Sequence, residues 1–258
     1  LYGGKLIASG KAKSGGILYI GNNSASSYIA TFNMYGGALE NGNVSGNGGN
    51  VCISNNCQMY LYGGTISGGH AGDCGGNIVI ESGKLGLYGG VITGGQAANF
   101  GGGVYCRVKD ALSVSGNVQI TGNATSNLYL PADRMIIVEK LLGEKNIGIS
   151  MEDPTKPFAL VSQETLADCF FSDDDSFTVN TKDGVLYLDD GSTPVMTHIH
   201  CICGGHAAGI GDHLCDKAVT WEPWDGTTAL EDGHSYYLND TDGDGVITLA
   251  SPLTIEKK

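Results

Sequence analysis

Residues 48–67 read GGNVCISNNCQMYLYGGTIS, and two landmarks within this stretch return along the chain. The first is LYGG, and the second is the glycine-rich start of a short apolar run, GGNVCI. Spacings of 27, 26 and 27 residues separate the last four copies of the first landmark, a period typical of solenoid proteins. The first landmark begins at residues 1, 34, 61, 87 and 114 as LYGG, MYGG, LYGG, LYGG and VSGN, and the second at 48, 75 and 101 as GGNVCI, GGNIVI and GGGVYC.

Each repeat predicts three short strands separated by turns. In the quoted copy they are Val51 to Ile53, Gln58 to Tyr62 and Thr65 to Ser67. Strands this short are not stable alone, but stacked copies would share backbone hydrogen bonds and bury one apolar column. Alternation along each strand sends two repeat positions inward. These positions hold Leu1, Met34, Leu61, Leu87 and Val114 in one case and Leu6, Leu39, Ile66 and Ile92 in the other.

Composition favours strands and turns over helix. Glycine supplies 42 of the 258 residues, about twice the usual share, without the collagen period of three. No segment before residue 130 has the apolar spacing of an amphipathic helix. We therefore predict an all-β fold, a right-handed parallel β-helix (a solenoid) followed by a small Cys/His-rich connector and a short strand-rich unit. The expected divisions are coils at 1–130, a closing β region at 131–192, the connector at 193–217 and a small β unit at 218–258.

Charge separates the two halves of the chain and excludes one class of partner. Residues 1–150 hold nine Lys and Arg against seven Asp and Glu, whereas residues 151–258 hold five against twenty. A net charge of −13 with two arginines argues against nucleic-acid binding, which needs cations that neutralise phosphates. No apolar run is long enough to span a bilayer, and no signal-peptide pattern is present. Because both ends lie within strand-like sequence, we expect one segment of a longer array, or a subunit whose ends meet neighbouring modules or copies of itself.

Tyrosines occupy one position of the repeat, beside an inward Leu or Met. Tyr35, Tyr62 and Tyr88, with Tyr2, are predicted to form an outward column with the spacing of stacked strands. One interpretation is a platform on which sugar rings stack. The other is an aromatic ladder that reinforces the coil stack, and it is preferred here.

Carboxylates are sparse in the coils. Within residues 1–109 they are Glu40, Asp73 and Glu81, and their sequence positions predict that they do not converge on one substrate. An acid, base or calcium site for polysaccharide cleavage needs two or three such groups together. No catalytic residue is therefore assigned. The acidic run from Asp173 to Asp175 is predicted as a solvated loop rather than a cation site.

The densest chemical signal is HIHCICGGHAAGIGDHLC, residues 198–215, which contains four of the six histidines and three of the eight cysteines. Thiolate and imidazole are the preferred ligands of tetrahedral zinc, and a structural zinc would staple a segment too small to have its own core. A disulfide is the alternative in an exported chain, but it leaves the histidines unexplained. The predicted ligands are Cys201, Cys203, His213 and Cys215, with His198 or His200 able to replace any one of them.

A second candidate metal site lies near the end of the chain. Asp240, Asp242 and Asp244 match the first half of an EF-hand or dockerin calcium loop. The twelfth position, which should supply a bidentate acid, is Ser251, and no helix pattern flanks the loop. An acidic turn between the strands SYYL and VITL is therefore preferred to a calcium site.

The remaining cysteines are assigned from the repeat register. Cys106 is predicted to point inward with Ile53 and Ile80 as a small buried hydrophobe. Cys52 aligns with outward positions, and Cys57 and Cys74 fall in turns. Disulfide pairing among these last three is left open.

The GG-V-Y/C, LYGG and TISGG landmarks, the strand-rich closing piece and the HIHCICGG that follows resemble the large repeat-built surface proteins of gut Firmicutes. Those proteins are similar in turn to pectate-lyase-like and adhesin-type right-handed β-helices. The resemblance covers nearly the whole chain and implies export and an extracellular or cell-surface setting. It implies little about chemistry, since a shared fold does not transfer an activity.

The function expected from these features is a noncatalytic structural or adhesive module, with the coil as a rigid spacer, a zinc-stapled joint and end-to-end assembly as a further option. Carbohydrate binding through the tyrosine column is the first alternative. An enzyme that acts on polysaccharide is the second.

Overall fold

The computed structural model describes residues 1–8, 10–21, 28–161, 163–182 and 184–191, and the backbone of residues 221–224 and 235–238. The chain divides into two compact units, Leu1–Pro194 and Val195–Lys258. The first unit is a parallel β-solenoid of about five turns, so the predicted fold class is confirmed at this level.

Short strands make up nearly all regular structure in the described part of the first unit, with one 3-10 helix at Glu164–Cys169. The strands are β1 (Lys5–Ile7), β2 (Lys11–Ala12), β3 (Leu18–Ile20), β4 (Thr31–Met34), β5 (Ala38–Glu40), β6 (Asn43–Val44), β7 (Val51–Ile53), β8 (Gln58–Leu61), β9 (Thr65–Ser67), β10 (His70–Ala71), β11 (Ile78–Ile80), β12 (Lys84–Thr93), β13 (Gln96–Ala97), β14 (Val104–Cys106), β15 (Leu112–Ile120), β16 (Leu128–Leu130), β17 (Ile136–Leu141), β18 (Ile147–Met151), β19 (Pro157–Leu160), β20 (Phe170–Ser172), β21 (Thr178–Lys182) and β22 (Val185–Asp189).

The strands predicted from the quoted stretch are confirmed as β7, β8 and β9, with β8 ending one residue earlier than expected. The repeat pattern did not predict a fourth strand that several coils contain. The two-residue strands β2, β6, β10 and β13 form a separate parallel sheet. Such short strands have too few residues to show an alternating pattern in sequence.

Equivalent strands of successive coils pair in parallel and form three longer columns. One face of the solenoid contains β3, β7, β11, β14, β16, β18 and β20. The next face contains β4, β8, the first part of β12, the first part of β15, β17 and β19. The third contains β1, β5, β9 and the last parts of β12 and β15.

The predicted inward columns are confirmed in register, although Leu6, which aligns with Leu39, is 40% exposed. Met34, Leu61 and Leu87 are aligned partners across β4, β8 and β12. Leu39 and Ile66 are aligned across β5 and β9 and are fully buried. These apolar stacks form one core cluster that continues through the later coils to β22.

The second glycine of each YGG landmark turns the chain between two faces. Gly64 has a φ of +96°, which side chains with a Cβ rarely adopt. A Cβ at this position would also lie 2.6 Å from the carbonyl oxygen of Gly37 in the preceding coil. Stacking of coils and the backbone conformation therefore both require glycine here.

The parallel order continues past residue 130 through β17, β18 and β20. It ends where β22 pairs antiparallel with both β19 and β21. Phe158 and Phe170 pack edge to face at 5.4 Å inside this last part of the core. An antiparallel hairpin thus follows the parallel coils.

In the second unit the structure describes two strands, β23 (Trp221–Trp224) and β24 (Ser235–Leu238), which pair in parallel.

Candidate functional site on the solenoid surface

The predicted tyrosine column is present on the outer surface. The ring centroids of Tyr2 and Tyr35 are 4.9 Å apart, those of Tyr35 and Tyr62 4.8 Å, and those of Tyr62 and Tyr88 5.3 Å. The planes of Tyr35 and Tyr62 differ by 7°. Centroids this close with nearly parallel planes require neighbouring ring faces to overlap.

Face-to-face stacking determines what the column offers to a ligand. Tyr35 and Tyr62 are 45% and 43% exposed, but their faces lie against neighbouring rings, so edges and hydroxyls meet solvent. Tyr60 adds a further contact, since its ring centroid lies 6.2 Å from that of Tyr88. The Tyr60 ring also fills the space that a side chain at Gly86 would occupy. This geometry is that of an aromatic ladder, and Tyr35, Tyr62 and Tyr88 as sugar-binding residues remain a prediction.

A ladder of asparagine side chains, missed in the sequence, runs inside the coil stack. The amide of Asn50 donates to Oδ1 of Asn77 at 2.7 Å, and the amide of Asn77 donates to Oδ1 of Asn123 at 3.0 Å. Asn123 donates in turn to Oδ1 of Asn127 at 3.0 Å. The recurring GGN of the second landmark is the signal that marks the first two residues of this ladder.

Each rung also satisfies the backbone at a corner of the coil. Oδ1 of Asn77 accepts from the amide N–H of Gly69 at 3.0 Å, and its Nδ2 donates to the carbonyl of Thr93 at 2.9 Å. Asn50 makes the corresponding bonds with Gly42 and Ser67. Because Asn50 and Asn77 are fully buried, these bonds replace those that water would make.

Asp173 lies in a loop after β20, as predicted, but its carboxylate is half-buried and hydrogen-bonded to protein groups rather than solvated. Its Oδ2 accepts from the backbone N–H of Asn127 at 2.7 Å and from the hydroxyl of Ser150 at 3.0 Å. Its Oδ1 accepts from the side-chain amide of Asn127. A carboxylate suits this place because it accepts several hydrogen bonds without needing to donate one. Asp173 thus ends the asparagine ladder, whereas Asp174 and Asp175 are exposed as expected.

Asp73 and Glu81, which were not expected to converge on one substrate, are linked by hydrogen bonds through Asn47 and Cys74. Nδ2 of Asn47 donates to Oε1 of Glu81 at 2.8 Å, and its Oδ1 accepts from the backbone N–H of Cys74 at 2.9 Å. The thiol of Cys74 donates to Oδ1 of Asp73 at 3.2 Å. The repeat pattern does not reveal this link, because Asn47 lies one coil before Cys74. The third carboxylate, Glu40, forms a separate ion pair with Lys5 at 2.9 Å.

Aromatic and charged side chains meet beside this network, on the face formed by β11, β14 and β16. Phe100 stacks on Tyr129 with centroids 4.4 Å apart, and Tyr129 lies 5.8 Å from Tyr105. The guanidinium of Arg107 lies 5.7 Å from the centroid of the Tyr105 ring and donates to Oε2 of Glu81 at 2.8 Å. The repeat pattern did not predict this cluster, because none of the three aromatic residues occupies the repeat position of the tyrosine column.

The described cysteines are free thiols, so the disulfide option among Cys52, Cys57 and Cys74 is not realised. Cys106 is fully buried in register with Ile80, as predicted, and burial raises the pKa of its thiol to about 12. Cys52 faces outward by register but is also buried. Its pKa is raised to about 12, mainly by burial and also by the charge of Glu81.

The predicted metal ligands lie outside the described residues. This applies to the zinc candidates His198, His200, Cys201, Cys203, His213 and Cys215 and to the calcium candidates Asp240, Asp242 and Asp244. Within the part of the chain that the structure describes, no group of three or more His, Cys, Asp or Glu side chains is arranged to hold a metal ion.

No protein-family model, curated protein or solved structure matches this chain. Among the described residues, none of the helical segments has the length and apolar character needed to cross a bilayer.

Proposed function

We propose that this chain is a noncatalytic structural or adhesive module of an exported bacterial surface protein, with the solenoid as a rigid spacer. The observation that supports this proposal is the hydrogen-bonded ladder from Asn50 to Asp173, which joins successive coils through their buried side chains. The stacked tyrosines tie the same coils together on the outside. In a repeat protein, strong interfaces between neighbouring repeats make the array unfold as a unit.

Native-state hydrogen exchange tests the rigidity that a spacer needs. We expect the amides of β7, β11, β14 and β18 to exchange together, through global unfolding, because one ladder connects their coils. Separate exchange of each coil at low opening free energy would contradict a rigid spacer.

Export and a surface location belong to the same proposal. They are supported by the repeat and Cys/His landmarks that resemble bacterial surface proteins. Protease treatment of intact source cells, followed by detection with antibodies against the solenoid, tests the location. Protection of the protein in intact cells and its cleavage only after lysis would overturn it.

The joint after the solenoid is proposed to be stapled by zinc, on the strength of the ligand types in residues 198–215. Contact with neighbouring modules or further copies of the chain is part of the proposal, and negative-stain electron microscopy at high protein concentration tests it. Particles that all remain single would exclude self-assembly.

Sugar binding by the tyrosine column is the second candidate function. The exposed fractions of Tyr35 and Tyr62 favour it, whereas the overlap of their ring faces favours a structural role. Unchanged glycan binding after replacement of Tyr35, Tyr62 and Tyr88 by alanine would remove this candidate.

A further inference from the structure

Phe100 is exposed at a repeat position where the preceding coil has a buried residue. The residue bridged to it in the preceding coil is Cys74, which is buried at 4% exposure. Phe100 is 43% exposed, although its ring stacks on Tyr129. Tyr35 and Tyr62 are equally exposed in their column, but each has a hydroxyl that can bond to water, whereas the exposed part of Phe100 is wholly apolar. With Tyr105 and Tyr129 it forms one contiguous aromatic patch, and such a patch bordered by polar residues is typical of a binding surface.

Polar groups with spare hydrogen-bonding capacity adjoin the ring. Asn99, the residue before Phe100, donates from Nδ2 to Oδ1 of Asp73 at 2.8 Å. This bond, followed by the bond from the Cys74 thiol, lowers the pKa of Asp73. The carboxylate is therefore charged at neutral pH, and its second oxygen has lone pairs directed away from this bond.

A fixed cation lies on the same face. Arg107 donates through one terminal nitrogen to Glu81 and lies against the Tyr105 ring, while 47% of its side chain is exposed. A guanidinium has five N–H groups, so this arrangement orients the group and leaves donors for a ligand. Glu81 is itself held by Asn47, which makes the pair part of the rigid network.

We propose that this face, formed by Asp73, Asn99, Phe100, Tyr105, Arg107 and Tyr129, binds a neutral pyranose unit of a polysaccharide. The apolar C–H face of the sugar packs on the part of the Phe100 ring that its neighbours leave exposed, its hydroxyls donate to Asp73, and they accept from Arg107. An aromatic surface with a few fixed polar groups is the usual composition of a small-ligand site. The inference rests on the adhesive role proposed above and gives that role a ligand class.

The charge balance selects a neutral sugar over an anionic one. Glu81 already neutralises Arg107 at 2.8 Å, and Asp73 adds a further negative charge to the face. Arg134, whose Nε donates to the carbonyl of Arg107 at 2.9 Å, adds a positive charge, and Glu152, whose charge acts on Tyr105 and Tyr129, adds a further negative one. A carboxylated or sulfated sugar would thus meet three carboxylates and two guanidinium groups, a net negative charge that disfavours it.

Affinity electrophoresis through gels that contain laminarin, galactomannan, arabinoxylan or polygalacturonate tests the proposal, and calorimetry then measures Kd. Three variants are compared with the unmodified chain. Phe100→Ala removes the stacking ring, and Asp73→Asn removes the charged acceptor with almost no change in shape. Ile137→Ala is the matched control, because Ile137 is an apolar residue that is 46% exposed in β17, on another face of the solenoid and outside the tyrosine column.

We expect retardation by at least one of the three neutral polysaccharides, a roughly tenfold weaker Kd in Phe100→Ala and in Asp73→Asn, and no change in Ile137→Ala. Retardation by none of the gels, retardation by polygalacturonate alone, or equal affinity in all variants would overturn the proposal. Unfolding midpoints are measured on the same samples. If Phe100→Ala proves unstable, Asp73→Asn decides the outcome. Lost binding with unchanged hydrogen exchange would leave the spacer role intact.

Discussion

The side-chain amide of Asn50 donates to Oδ1 of Asn77 one coil away at 2.7 Å, and both residues are fully buried. Their spacing of 27 residues equals one repeat. A single residue type, repeated at the right period, thereby joins the corners of successive coils through side chains as well as backbone.

Replacement of Asn77 by alanine is expected to lower the free energy of unfolding by about 2–4 kcal/mol. The change leaves the N–H of Gly69 and the carbonyl of Thr93 without their side-chain partner in a buried place. Urea unfolding followed by circular dichroism measures the effect. Asn180→Ala is the matched control, because the bond of Asn180 to Asp189 is exposed. Equal losses in the two variants would contradict a special role for the ladder.

Asp173→Ala is expected to destabilise the solenoid by roughly 2–3 kcal/mol, since three donors from Asn127 and Ser150 lose their acceptor. Asp175→Ala removes an exposed carboxylate from the same loop and should change stability by less than about 0.5 kcal/mol. Thermal unfolding of both variants provides the comparison. A neutral effect of Asp173→Ala would mean that the ladder ends at Asn127.

Tyr62→Ala is expected to cost about 1–3 kcal/mol, because Tyr62 stacks between Tyr35 and Tyr88. Tyr2→Ala should cost less than about 1 kcal/mol, since Tyr2 is 84% exposed and stacks on Tyr35 alone among the described rings. Denaturant titration distinguishes the two. If Tyr2→Ala were the more harmful change, stacking along the column would not be the source of the stability.

Alkaline pH should destabilise the fold in part through Cys106. Its pKa is raised by burial from 9.0 to about 12, so the neutral thiol is favoured in the folded state. The contribution of the neutral thiol to the free energy of unfolding is fully present below pH 9.0, and it is lost as the pH rises towards 12. Cys106→Val removes the group, so the difference in unfolding free energy between the unmodified chain and the variant should change over this range. A constant difference would show that the thiol does not titrate as inferred.

The metal content of the protein tests whether residues 198–215, the joint after the solenoid, bind zinc. Elemental mass spectrometry of protein purified without added metal or chelator should find about one zinc ion per chain. A variant with Cys201, Cys203 and Cys215 replaced by serine should lose it. Absence of metal, with these thiols unreactive until reduced, would replace the zinc staple by disulfides.

The repeat alone predicted much of the fold because each coil obeys the same local rules. The positions of β7, β8 and β9, the inward stacks through Met34 and Leu39, and the tyrosine column all follow from one period and from alternation along strands. The short strand β10 did not follow, since two residues carry no periodic signal.

The sequence by itself determined the parallel solenoid, because a period near 27 residues with glycine at the corners leaves few other ways to pair such short strands. Only the tertiary structure decided which polar side chains meet. Asn47 joins Glu81 to the backbone of Cys74, Asp173 ends a ladder that begins far upstream, and Phe100 meets Tyr129 from another coil. These contacts depend on side-chain direction and on the stacking of coils more than twenty residues apart, and a linear pattern records neither.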